Sequence, residues 1–185
     1  IDIFQLERHP KKKYYYKYDG QWEKLQIKKV SLRVKGVPFP ISKKAFSSKY
    51  GPTLINEQGA FSVRLGANQE IRALDQWYQM NKGKNFTDFY NALNVQGLSM
   101  FNIVYADRYD TIFYVNNALM PIRKEDPKLN WLETLPGNTS TTLWTRFRPL
   151  KDLPQYVNPS SGFLFNTNHS SFSATASADN LKVSQ

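Results

Sequence analysis

Apolar and polar side chains alternate in the first third of the chain, and this pattern predicts β-strands. Lysine, glutamine, serine and arginine separate the apolar positions Leu25, Ile27, Val30, Leu32 and Val34. A period of two is typical of strands with one buried face and one face in water. We therefore expect a sheet whose solvent-exposed face carries lysine and arginine side chains.

Turn residues divide this region into several strands. Asp19-Gly20, which follows the aromatic run Tyr14–Tyr18, is a hairpin turn signal, and Tyr50-Gly51-Pro52 predicts a second turn. Further short strands are expected at Thr53–Ile55 and Phe61–Leu65. The first part of the chain, residues 1–66, is therefore predicted to be mainly β-structure.

The pattern changes to a helical one between Gly66 and Lys82. Apolar side chains recur there at the spacing of one helix face, at Ile71, Leu74, Trp77 and Tyr78. A second helix is predicted from about Thr87, a suitable N-cap, to Leu93. We expect residues 67–97 to be helical.

The last part of the chain, residues 98–185, combines one predicted hairpin with irregular connections. Residues 102–106 and 111–116 have strand-like composition and flank Asp107–Asp110. Prolines recur after Pro121, and the segment Ser170–Ser177 is rich in serine, alanine and threonine. The fold class predicted for residues 1–185 is therefore α+β, without internal repeats or an evident interdomain linker.

Charge is concentrated at the N-terminal end. The net charge is +10, and the first fifty residues hold 13 Lys/Arg against 4 Asp/Glu, a balance of 13 − 4 = +9. A basic region of this kind suggests either a solvated strand face or an anionic partner. The sequence has no cysteine, which excludes disulfides, thiol catalysis and cysteine-bound zinc.

Most recognisable catalytic patterns are missing from the sequence. There is no glycine-rich phosphate loop, and the two histidines, His9 and His169, do not have the spacing of a metal site. No apolar run reaches the length of about 20 residues that a membrane helix needs. No signal peptide pattern is present, and because the first residue is Ile1 we expect an interior fragment of a longer protein.

A series of short motifs resembles the β chain of the penicillin acylase (penicillin amidase) family, in the same order along nearly the whole chain. The motifs are Asp2-Ile3-Phe4, Tyr18-Asp19-Gly20-Gln21-Trp22, Tyr50-Gly51-Pro52, Asn85-Phe86, Tyr105-Ala106-Asp107, Ile112-Phe113-Tyr114, Pro121-Ile122-Arg123, Phe147-Arg148-Pro149-Leu150, Leu153-Pro154, Asn158-Pro159-Ser160-Ser161-Gly162-Phe163 and Asn166-Thr167-Asn168. The chain differs from the family pattern at Tyr50, where a histidine is common, and at Asp110-Thr111, where a glycine is usual.

The resemblance implies an N-terminal nucleophile hydrolase with an αββα sandwich, of which this chain would form a strand-rich section. In that family a precursor cleaves itself, and the new N-terminal serine of the β chain attacks an amide with its own α-amine as base. The Ser-Asn start of such a chain is absent here, so we expect the nucleophile to lie upstream of Ile1 and the fragment alone to be inert. The substrate would be a penicillin, an acyl-homoserine lactone or a similar N-acylated amine.

The resemblance also implies an oxyanion hole. Family members use the side-chain amide of an asparagine in the Asn-x-Asn element, and the matching residue is Asn168. An amide N–H aimed at the developing oxyanion stabilises the tetrahedral intermediate. Asn166 is expected to brace the loop. Without the resemblance, the favoured explanation of Asn168 is structural: it caps a turn, or Asn168-His169-Ser170 is a sequon-like surface triplet.

A calcium site and an acyl pocket are the other implied features. The positions that match the family's calcium ligands are Asp2, Ile1, Pro127 and Asp179, fewer than the six to eight oxygens that calcium requires. Trp77 and Phe101 match residues that line the acyl pocket, although a tryptophan on an apolar helix stripe is more often a core residue. No organic cofactor is expected.

The implied partners are the remainder of the β chain and the α chain of the same precursor, in a periplasmic or secreted location; neither nucleic acid nor a membrane is expected. Two alternatives remain open at this point. One is a pseudoenzyme with the same fold. The other is a basic β-rich module that holds an anionic polymer through Lys11–Lys13 and Lys28-Lys29 and stacks bases on Tyr14–Tyr16.

Overall fold

The computed structural model describes residues 1–182 and is strand-rich, with two α-helices. The strands are β1 Asp2–Gln5, β2 Tyr15–Tyr18, β3 Gln21–Lys24, β4 Gln26–Leu32, β5 Ile41–Ser48, β6 Gly51–Asn56, β7 Gly59–Arg64, β8 Met100–Ala106, β9 Ile112–Ala118, β10 Leu135–Pro136 and β11 Gln155–Val157. The helices are α1 Ala73–Lys82 and α2 Phe86–Leu93, with short 3-10 turns at Gly66–Gln69, Ser140–Thr142 and Leu150–Asp152. The α+β prediction is confirmed.

The chain forms two compact units, and each combines segments that are distant in sequence. The first contains residues 1–65 and 122–145, and the second contains residues 66–121 and 146–185. A six-stranded sheet in the order β10-β1-β7-β6-β5-β4 and the β2–β3 hairpin belong to the first unit. A three-stranded sheet in the order β11-β9-β8 belongs to the second.

The core of the first unit lies against the centre of its sheet. Phe4 on β1 and Tyr50 are fully buried, and their ring centroids are 4.5 Å apart. The Tyr50 hydroxyl donates to the Thr139 carbonyl and accepts from the Thr139 N–H at 3.1 Å. A buried ring with a satisfied hydroxyl thus joins residue 50 to the distant segment 135–142.

The prediction of one buried face is wrong for β4. Every residue of this strand is exposed, including Ile27, Val30 and Leu32. The strand lies at the edge of the sheet, and the exposure of all its residues shows that no other layer within residues 1–182 covers either of its faces. Alternation alone does not reveal whether a second layer covers a strand.

The turn and helix boundaries differ from the predictions in three places. The β5–β6 turn is formed by Lys49-Tyr50, and Gly51 already begins β6. The predicted helix 66–82 is interrupted, because the Glu70 carboxylate accepts a hydrogen bond from the Arg72 N–H at 2.8 Å before α1 begins. The N-cap of α2 is Asn85, whose side chain accepts from the Asp88 N–H, and not Thr87.

The second unit has a core on each face of its small sheet. Phe113, Val115 and Ile103 pack with Leu93 of α2 on one face. Tyr114 packs with Tyr156 and Ala174 on the other, so the segment after β11 covers the face opposite α2. The predicted hairpin over residues 102–116 is confirmed, with Asp107–Asp110 as its loop.

Tyr114 and Tyr50 are both fully buried, but within residues 1–182 the Tyr114 hydroxyl has no hydrogen-bond partner. A buried unpaired hydroxyl costs about 1–3 kcal/mol of desolvation. We therefore expect Tyr114→Phe to raise the free energy of unfolding by about 1 kcal/mol or leave it unchanged. Tyr50→Phe should lower it by a similar amount because that hydroxyl is bonded. Denaturant unfolding of the full-length variants compares the two, and a Tyr114→Phe loss as large as that of Tyr50→Phe would contradict this.

Candidate functional site

The candidate site is the turn Asn166-Thr167-Asn168 in the second unit. Asn168 has a φ of 58°, a left-handed conformation that asparagine tolerates better than most residues. Its backbone N–H donates to the Asn166 Oδ1 at 3.2 Å. The N–H of the preceding residue, Thr167, donates to His169 Nδ1 at 3.2 Å. Side-chain acceptors therefore fix the backbone of this exposed turn.

The imidazole of His169 joins the turn to the segment that follows it. With Nδ1 accepting from Thr167, the neutral ring carries its proton on Nε2, which donates to the Ser173 carbonyl. The ring also stacks on Phe165, with 4.6 Å between centroids. Both ring nitrogens of His169 are thus used in shaping the loop, a role that no sequence motif indicated.

The side-chain amide of Asn168 itself is exposed and makes no hydrogen bond within the described residues. Its N–H groups are therefore free to donate to a ligand, as an oxyanion donor must be. The turn therefore has a backbone that is fixed by Asn166 and a carboxamide that is exposed, and the roles given to Asn166 and Asn168 stay predictions.

Hydrogen bonds from the motif at residues 158–163 to the carboxylate of Asp179 join this motif to the C-terminal segment. The Asp179 carboxylate accepts from the Ser160 hydroxyl and from the Ser161 N–H, both at 2.7 Å. The Ser160 bond and then the Ser161 bond lower the pKa of Asp179 below its usual value. The stability that these bonds contribute is therefore present at neutral pH and is lost only as the pH falls through that lowered pKa.

Asp2, the other predicted calcium-binding carboxylate, is buried and already paired with a cation. The Arg123 guanidinium donates to its two oxygens at 2.7 and 3.1 Å, and the Trp144 indole N–H donates at 2.6 Å. Three of about four lone-pair positions are thus used. Arg123 and Trp144 thus take up most of the accepting capacity of this carboxylate, and no group of three or more acidic or histidine side chains within residues 1–182 could hold a metal. Calcium binding stays a prediction that no observation tests.

The two predicted acyl-pocket residues lie on a helix and a strand, and their side chains are half exposed. Trp77 on α1 is 54% exposed and Phe101 on β8 is 55% exposed. The interpretation of Trp77 as a core residue is therefore wrong. The apolar stripe predicted for this region is exposed, with Leu74 of α1 at 85% and Ile71, which precedes the helix, at 88%, whereas the buried residue of the helix is Gln76.

Gln76 explains why α1 turns its apolar stripe outward. Its Oε1 accepts from the Leu98 N–H at 2.8 Å, so this polar side chain docks the helix on residues 97–99. The backbones approach so closely that a Cβ at Gly97 would lie 2.6 Å from the Arg72 carbonyl oxygen. As a result, the apolar face of α1 is exposed while the opposite side of the helix contacts the segment that leads into β8.

The residues of the proposed polymer-binding module do not form a stacking surface. Tyr16 is 2% exposed, and its hydroxyl contacts Glu23 and the Lys49 N–H. Tyr14 stacks on Phe46 at 5.2 Å between ring centroids. The interpretation of Tyr14–Tyr16 as three base-stacking rings is wrong for Tyr16, because strand alternation turns the middle ring into the core.

Comparison with known proteins supports the resemblance seen in the sequence. The penicillin amidase family model matches residues 1–184. The chain is 29% identical over 161 residues to an acyl-homoserine lactone acylase PvdQ of Pseudomonas fluorescens, covering 77% of this chain and 21% of that protein. It is 26% identical over 175 residues to penicillin G acylase of Escherichia coli, covering 92% of this chain and 20% of that protein.

A solved structure shows the same fold. A thermostable penicillin G acylase from Alcaligenes faecalis superposes with a TM-score of 0.81 at 23% identity, over 99% of this chain and 33% of that chain. The present chain spans about a fifth of the length of the two relatives. No helix within residues 1–182 is long and apolar enough to cross a membrane.

Proposed function

Because this chain belongs to the penicillin amidase family, we propose that it is part of an enzyme that hydrolyses the amide bond of an N-acylated amine. In this proposal the Asn168 carboxamide donates a hydrogen bond to the oxyanion of the tetrahedral intermediate. The attacking serine is supplied from outside residues 1–185, and we expect these residues alone to be inactive.

One observation carries the proposal for Asn168. Its carboxamide is exposed and unbonded, while its backbone N–H is fixed by Asn166. Free donors on a braced backbone are what an oxyanion hole requires, because such donors need no rearrangement when charge develops. A residue that only capped the turn would use its side chain within the turn.

The reaction proceeds in two steps that both form an oxyanion. The serine oxygen adds to the amide carbonyl carbon, the carbonyl oxygen becomes negative, and collapse expels the amine after it takes up a proton. Water then adds to the acyl-enzyme and the serine leaves with a proton. Asn168 stabilises both intermediates, while the base is the α-amine of the serine, so the reaction needs neither histidine.

The exposed apolar face of α1 supports an acyl-binding role for Trp77. A half-exposed tryptophan on a helix presents a large apolar surface that an acyl chain can cover. Phe101 lies on the face of the small sheet that packs on α2. It is two residues before Ile103, which packs with Leu93 of α2, and side chains two residues apart on a strand share a face. We propose that both residues contact the acyl group, and that the rest of the precursor completes the pocket.

The two named relatives act on different N-acylated compounds, so we propose the shared chemistry and not one substrate. The full-length protein is incubated with penicillin G and with acyl-homoserine lactones of several chain lengths, and the released amine is measured. N-terminal analysis of the purified protein tests for a processed chain that begins with serine. Failure to release amine from every substrate, in a protein that is processed in this way, would contradict the proposal.

We also propose a periplasmic or secreted location and assembly with the remaining chain segments of the same precursor. Both depend on the family membership alone. Cell fractionation and co-purification of the processed chains test them directly.

A further inference from the structure

A chain of asparagine side chains connects the small sheet to Asn168. Asn116 Nδ2 donates to Asn102 Oδ1 at 2.9 Å, and Asn102 Nδ2 donates to Asn166 Oδ1 at 3.0 Å. The same Asn166 oxygen accepts the backbone N–H of Asn168 at 3.2 Å. Three carboxamides therefore lie in series between β9 and the turn.

A single backbone group fixes the direction of every bond in this chain. The Asn168 N–H can only donate, so Asn166 must present its oxygen to it. Asn102, which reaches that same oxygen, must then present its NH₂ group, and its own oxygen is left to accept from Asn116. The orientation of all three amides follows from this chemistry and not from the shape of the side chains, in which oxygen and nitrogen are nearly alike.

The far end of the chain is anchored in rigid structure. Asn102 and Asn116 are directly opposite each other on β8 and β9, and the Asn116 N–H donates to the Pro154 carbonyl at 3.0 Å. The turn at the near end is exposed. Hydrogen bonds from a sheet to a loop reduce the conformational freedom of the loop. This matters for catalysis because displacing a catalytic group by about 1 Å can lower the rate strongly.

We propose that Asn102 is a positioning residue for Asn168, oriented in turn by Asn116. This inference rests on the proposed function, since it assigns Asn102 the task of holding the turn that carries the oxyanion donor. It follows from the hydrogen-bond directions and from the register of β8 and β9. Asn102 does not touch the reacting atoms.

The test is Asn102→Asp in the full-length protein. The aspartate has the same shape and still accepts from Asn116, but when ionised it has no proton to donate to Asn166. If Asn166 turned its NH₂ group toward the aspartate, the Asn168 N–H would lose its acceptor. We expect kcat to fall roughly 10-fold with KM nearly unchanged, because the turn is misplaced and substrate contacts are not removed.

The pH dependence separates positioning from a general loss of structure. As the pH falls toward about 4, the aspartate takes up a proton and regains an O–H donor. The ratio of kcat for Asn102→Asp to kcat for wild type should therefore rise from roughly one tenth at pH 7 to about one half near pH 4, where half of the aspartate is protonated. Because titration of the catalytic amine changes kcat of both proteins by the same factor, its effect cancels in this ratio.

Matched variants complete the experiment. Asn130→Asp is a control, because Asn130 is exposed and uses only its oxygen, which accepts from the Leu132 N–H. An unchanged kcat for Asn102→Asp, or a loss with no pH recovery, would overturn the positioning role. If Asn168→Ala lowers kcat in the same assays, the proposed function survives that result; if Asn168→Ala has no effect, the oxyanion assignment itself fails.

Discussion

Asn168→Ala in the full-length protein is expected to lower kcat for amide hydrolysis by roughly 10²- to 10³-fold, the effect of removing one oxyanion donor. KM should change little, because the ground-state carbonyl binds the donor more weakly than the oxyanion does. Steady-state amine release at saturating and low substrate gives both constants. The protein should fold normally, since this carboxamide makes no hydrogen bond within the described residues.

The left-handed backbone of Asn168 requires a second variant. Alanine is disfavoured at a φ of 58° by roughly 1–2 kcal/mol, so backbone strain could imitate the loss of a donor. Asn168→Gly removes the same amide without this strain. The two variants should therefore lose the same amount of activity. Full activity in Asn168→Gly would show that the backbone matters and that the amide does not.

The second large effect is expected at the ion pair between the buried Asp2 and the partly exposed Arg123. The Asp2 side chain is 1% exposed and that of Arg123 is 37% exposed. Arg123→Met leaves a buried carboxylate with only the Trp144 indole as donor, and this should lower the free energy of unfolding by about 3 kcal/mol. Denaturant unfolding of the full-length protein measures it, with the exposed Arg33→Met as the control.

A double variant and a chelator identify the origin of this effect. Asp2→Asn combined with Arg123→Met removes the charge along with its partner, so it should recover part of the loss. If the pair acts as the structure indicates, removing calcium with a chelator should not reproduce the effect of Arg123→Met. A loss of stability on chelation, together with no effect of Arg123→Met, would contradict the ion-pair assignment and favour Asp2 as a calcium ligand.

The family and the fold class were predictable because they depend on local features. The hairpin loop Asp107–Asp110 predicted the pairing of its flanking strands, and the structure confirms it. The register of this hairpin places Asn102 opposite Asn116. Counting residues outward from the predicted loop could have revealed this pair from the sequence. The Asn-x-Asn motif pointed to Asn168 through resemblance alone.

Which face of an element becomes buried was not predictable in the same way. The apolar stripe of α1 predicted a core face, but the polar Gln76 is the residue that is buried, because its amide satisfies the Leu98 N–H. The apolar positions of β4 remain exposed because no layer within residues 1–182 packs on either face of that strand. Periodicity defines a face but contains no information about the layer that meets it.

The amino-acid sequence by itself determined the strand and helix content of most of the chain and its family, because turns, periodicity and short ordered motifs act over a few residues. Only the tertiary structure decided which polar groups meet: Arg123 with Asp2, and Asn116 with Asn102 and Asn166. The partners of Asp2 and Asn102 are 121 and 64 residues away in the chain, and such contacts depend on how distant segments pack. Hydrogen bonds require donors and acceptors within about 3 Å, a distance that packing sets and that sequence spacing does not.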